Sequence, residues 1–75
     1  MNAARRKQIA ELQERVAQLQ ADVEVVQQDE QQYLDDMPES LQEAERGQAS
    51  QMALDSLDSA IASLTDACDE LGAIE

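Results

Sequence analysis

Apolar residues in this chain recur in alternating steps of three and four, in two long runs on either side of a single proline. In the first run they fall at Ile9, Leu12, Val16, Leu19, Val23, Val26, Tyr33 and Met37. This is a heptad seam, which an α-helix gathers into one stripe and a strand would scatter over both faces. Glu30 alone interrupts it. Gln13, Gln20 and Gln27 flank the seam and favour helix without adding like-charge repulsion. The pattern predicts a helix over residues 3–36.

The second run repeats the spacing at Leu54, Leu57, Ile61, Leu64, Cys68 and Leu71, which predicts a helix over 48–73. It also carries a third row, Ala53, Ala60, Ala67 and Ile74, beside the seam. Two rows suffice for one partner helix, whereas three rows make the broader face of a helix inside a bundle. Small alanines on that face permit close approach of another helix.

Between the runs the chain must turn. Pro38 has no amide hydrogen for the carbonyl of Leu34 and disfavours helical geometry at Met37. Asp36 with Glu39, and Ser40 with Glu43, each match a capping box that would restart a helix. Residues 37–47 are therefore read as a turn holding a short helical piece, with Gly47 a break or kink before the second helix. Were the helix continuous there, Leu41 and Met52 would share a face away from the main seam.

The expected fold class is all-α: one domain over residues 1–75, an antiparallel, coiled-coil-like helical hairpin. So short a chain buries little surface and ordinarily needs disulfides, metal or self-association. One cysteine makes no internal disulfide, and the lack of histidine argues against structural zinc. A homodimer forming a four-helix bundle is the remaining expectation.

Charge narrows the partners. The net charge is −12, and it is unevenly spread. Residues 1–15 hold Arg5, Arg6, Lys7 and Arg15 against Glu11 and Glu14, while beyond them Arg46 is the one base among the remaining acids. Binding to nucleic-acid backbone or anionic lipid needs clustered cations, so neither is expected. No run approaches the ~18 apolar residues of a membrane span, and the amino terminus lacks the apolar core of a signal peptide. With a single cysteine, these features suit a cytoplasmic protein. Folding near residue 37 is also expected to set Arg5, Arg6 and Lys7 alongside Asp66, Asp69 and Glu70, favouring the antiparallel arrangement.

No residue set suggests catalysis, metal or cofactor. The paired carboxylates Asp35/Asp36, Asp55/Asp58 and Asp69/Glu70 fall on faces expected to be wet, and no EF-hand pattern is present. Cys68 sits in the seam with no neighbouring base, as a structural thiol would. Tyr33 lies where it would cap the core near the bend, or anchor a partner. Arg46 either pairs with Glu43 or Asp35, or joins the helix start after Pro38 in receiving an anion.

Residues 29–47, "DEQQYLDDMPESLQEAERG", resemble the hairpin segment of small acidic helical proteins encoded in bacteriophages and prophages. Those chains similarly join a polar helix ending in tyrosine and acids to an acidic second helix through an "MPESLQ"-type turn. The resemblance is specific at Tyr33, Met37–Gln42 and Arg46. It implies a cytoplasmic, phage-derived accessory protein and supplies a setting rather than a mechanism.

The expectation is thus a non-enzymatic protein-binding factor that modulates or inhibits a host protein, such as a defence or nucleic-acid-handling enzyme. Tyr33, Met37, Glu39, Leu41 and Arg46 would make its contacts, and the acidic faces would steer it to a basic surface. Three alternatives stand beside it: a structural or assembly coiled coil, a bundle sequestering a small anion such as a nucleotide, and a mimic of duplex DNA.

Overall fold

The computed structural model describes Met1–Glu75 and contains three helices and no strand. Helix α1 runs Ala3–Asp35, the single-turn helix α2 runs Glu39–Gln42, and α3 runs Glu45–Gly72. The two long helices lie antiparallel in a hairpin measuring 58 × 14 × 12 Å. The expected helical hairpin is the observed fold.

The three–four spacing of apolar positions explains α1. Asn2 caps its start by accepting the amide of Arg5 at 2.8 Å, satisfying one of the helix's orphan donors. Along its wet side, glutamine amides donate to aspartates one turn on: Gln18 to Asp22, Gln31 to Asp35 and Gln32 to Asp36, at 3.0, 2.9 and 3.0 Å. Each such pair stabilises a helix by about 0.2–0.5 kcal/mol. These pairs also let an acidic helix carry its carboxylates beside donors rather than beside one another.

The face α1 turns toward α3 differs from the seam read in the sequence. Ile9, Val16 and Val23 face inward and are half-buried, but they are joined there by Gln13, Gln20, Gln27 and Leu34. Leu12, Leu19, Val26 and Tyr33 stay outside, at 44, 53, 54 and 51 % exposure. Tyr33 therefore does not cap the core; its neighbour Leu34, at 9 % exposure, does. A single partner helix covers only about two adjacent rows, and on α1 those rows are the β-branched one and the glutamine one. Two of the glutamines, Gln13 and Gln27, pay little for this position because they reach acceptors across the gap. Gln13 Nε2 donates to the carbonyl of Cys68 at 3.2 Å, and Gln27 Nε2 donates to the Asp58 carboxylate. The Cys68 thiol returns a weak bond to the Gln13 carbonyl at 3.8 Å, so the half-buried cysteine belongs to the helix–helix contact, as expected.

These contacts fix the register. Gln27 meets Asp58, and a side chain at Gly72 would meet Gln13; the spacing is the same on both helices (27 − 13 and 72 − 58 are both 14). Two heptads therefore pass without slippage. On the opposite edge the same register sets Leu12, Leu19, Val26 and Tyr33 level with Ile74, Ala67, Ala60 and Ala53, rung by rung. One broad face of the hairpin thus carries an aliphatic row beside an alanine row.

The register also corrects the charge expectation. Gln13 stands opposite Gly72, the last residue of α3, and Arg5 lies eight residues before it, about 12 Å along the axis. The first turns of α1 overhang the end of α3. Arg5, Arg6 and Lys7 project past Asp66, Asp69 and Glu70 instead of lying alongside them. The turn consumes more chain than a fold at residue 37 would, which shifts the pairing.

No large side chain is fully buried, and Leu34 is the one hydrophobic residue in the buried class. Leu34→Ala is expected to cost about 2–4 kcal/mol, whereas Leu41→Ala, at an exposed position, should cost under about 0.5 kcal/mol. Chemical denaturation followed by circular dichroism measures both.

Candidate functional site

The turn is built around the proline. Pro38 leaves the Leu34 carbonyl without its helical donor, and two replacements arrive. The Met37 amide donates to that carbonyl at 3.1 Å, and Gln42 Nε2 donates to it at 3.2 Å. The same Gln42 amide bonds the Met37 carbonyl at 2.9 Å. One side chain from α2 therefore satisfies two carbonyls at the end of α1, which buried backbone groups require. Gln42 belongs to the turn motif that carries the resemblance, and its half-buried position and these bonds give it a structural role.

Neither expected capping box forms. Pro38 itself is the N-cap of α2, with φ −56° and ψ 148°, and α3 is capped by Ala44; neither end has a side-chain cap. Asp36 instead closes α1, its amide donating to the Gln32 carbonyl at 3.0 Å. Because proline's ring occupies the cap position with no polar side chain, Asp36 is left two residues too early to cap α2.

Gly47 does not break the helix. It lies in the first turn of α3, and the interruption falls at Glu43–Ala44, three residues earlier. A Cβ on Gly47 would collide with the backbone carbonyl of Gln42, so the glycine is there to let α2 press against α3. Leu34, Gly47 and Ser50 are the buried residues of the chain, and with half-buried Met37 and Gln42 they form a plug under the turn. The close approach of Gln42 to Gly47 is a tertiary demand that sequence spacing does not encode. The glycine itself was the signal for it.

The candidate contact residues divide around this plug. Met37 is half-buried and partly structural, while Glu39 and Arg46 are exposed, as are Leu41 at 44 % and Tyr33 at 51 %. Met52, at 71 %, is the most exposed large apolar side chain in the chain. Leu41 and Met52 do not share a helix, since α2 ends before Met52's helix begins, yet both remain off the helix–helix contact. The turn thus presents an apolar residue, a lone cation and carboxylates on a backbone braced from beneath. The hairpin encloses no cavity, and no His, Cys, Asp or Glu side chains cluster in a way that would hold a metal ion. No helix is long and apolar enough to cross a membrane.

No protein-family model, curated protein or solved structure matches this chain.

Gly47→Ala should destabilise the hairpin by about 1–3 kcal/mol through overpacking against a carbonyl that cannot move without its helix. Gly72→Ala should be nearly silent, because the group in its way is the flexible end of Gln13. Gln42→Ala should cost about 0.5–1.5 kcal/mol by removing two half-buried hydrogen bonds at the turn, the Leu34 carbonyl keeping the Met37 amide. Thermal melts of the three variants compare them directly.

Proposed function

We propose that this chain is a non-enzymatic, acidic protein-binding factor that contacts its target through the turn end of the hairpin. The observation that carries this reading is the exposed set Glu39, Leu41 and Arg46 on a turn held rigid by Pro38, Gln42 and Gly47. A braced turn loses little conformational freedom on binding, which favours affinity for a given contact area. Leu41 supplies an apolar anchor, Arg46 a fork of donors for a carboxylate, and Tyr33, at the top of α1, an aromatic contact beside them in sequence.

The charge supports a basic target. A narrow 58 Å rod bearing −12 net charge sets up a field that attracts cationic surfaces and speeds encounter with them. In the phage setting implied by the turn motif, the target is a host protein such as a defence or nucleic-acid-handling enzyme, whose activity the factor modulates or inhibits in the cytoplasm. Absence of an enclosed cavity beside Arg46 gives the small-anion reading no structural support. The assembly reading draws on the exposed aliphatic row of α1, which suits self-association.

Affinity capture from a bacterial lysate tests the proposal, with an Arg46→Glu/Leu41→Asp variant as control. The wild-type chain should retain a basic protein that the variant loses, both being equally helical. Retention should weaken about tenfold or more between 50 and 200 mM salt, as expected where many exposed charges steer the encounter. Equal recovery by both chains would remove the turn as the contact surface.

A further inference from the structure

The geometry points to the face bearing the aliphatic row of α1 and the alanine row of α3 as the docking surface for a second copy of this chain, related by a two-fold axis parallel to the hairpin. The target contact proposed above rests on Glu39, Leu41 and Arg46, which lie off this face; Tyr33, the last residue of the aliphatic row, is the one residue the two surfaces share.

Three observations carry it. The first is unspent surface. The accessible area of 5657 Å² exceeds the ~4,600 Å² of a compact monomer of 8.3 kDa. Covering the half-exposed large residues of this face and the alanines between them would remove about 1,000 Å² over two copies, the lower bound for a specific interface. The second is shape. Rotation about an axis along the hairpin lays α1 of one copy over α3 of the other at unchanged height. Leu19 then falls at Ala67 of the second copy and Val26 at its Ala60, so large side chains meet small ones. An axis across the hairpin would instead set large against large and alanine against alanine.

The third is charge. Outside the aliphatic row, α1 carries the exposed row Arg15, Asp22 and Asp29; outside the alanine row, α3 carries Ser56, Ser63 and Glu70. In the parallel-axis dimer Arg15 comes level with Glu70 of the second copy, and both aspartates come level with serines. The many other acids of α3, among them Asp55, Asp58, Asp66 and Asp69, occupy different rows. With the crossing axis, centred so that the aliphatic rows coincide, Asp22 meets Asp22. In the parallel-axis dimer the seam of α1, including Leu12 and Leu19, faces the bundle centre together with the alanine row. Every apolar row of both helices is then used.

Sedimentation and disulfide trapping test this on the full chain with Cys68→Ser as background. The chain should sediment at twice the mass of one copy at tens of micromolar. Asp22→Cys/Ser63→Cys should form a covalent dimer under mild oxidation, whereas Asp22→Cys alone should not. Leu19→Glu should raise the dissociation constant about a hundredfold, since it places a charge in an apolar contact. Because that variant could instead unfold, the trapping result in the otherwise unaltered face decides. A helical monomer, any larger assembly, or efficient trapping by Asp22→Cys alone overturns the proposal.

Discussion

The antiparallel contact of α1 with α3 governs everything else in the molecule, because its register decides which rows are inside and which are left out. Hydrogen bonds from Gln13 and Gln27 reach α3 two heptads apart and hold that register along the rod. Dispersion and apolar burial between Val16, Val23, Leu57, Ile61 and Leu64 supply attraction without direction. The glutamines supply the direction. A slip by one rung would leave their amides and the Cys68 carbonyl without these partners, and polar groups between packed helices need partners.

The turn is the second fixed point. Proline opens the end of α1, and a side chain from the next element reaches the carbonyls it leaves. The single turn of α2 serves to carry Gln42 back to those carbonyls, and Gly47 allows the approach. Bracing hydrogen bonds and exposed side chains therefore coincide at one end of the rod. The opposite end differs: Arg5, Arg6 and Lys7 extend beyond α3 on an unpaired stretch of helix. The two ends thus differ in packing and charge, so the hairpin has a polarity that its simple topology hides.

Carboxylates are distributed by the same logic. Asp22, Asp35 and Asp36 lie beside glutamine donors, and most carboxylates of α3 occupy rows away from the alanine face. Strong net charge then favours solubility and encounter with basic surfaces while sparing the apolar face from like-charge repulsion.

Much of this was legible in the residues. The 3–4 spacing defined two helices, Pro38 placed the turn, and the third row of α3 marked a face wider than one partner helix needs. All three follow from periodicity and backbone chemistry, which are local. What local pattern left open was the rotation of each helix and the register between them. The sequence pointed to Leu12, Leu19 and Tyr33 as contact with α3, yet Gln13, Gln20 and Leu34 lie there, because a glutamine beside an acceptor tolerates that place and a hairpin has room for only two rows. The shift of Arg5–Lys7 beyond α3, and the need for glycine at 47, likewise arise from distances between elements far apart in the chain. Periodicity determines helices and their apolar rows; only the packed structure decides which rows meet, since that choice rests on contacts between residues dozens of positions apart.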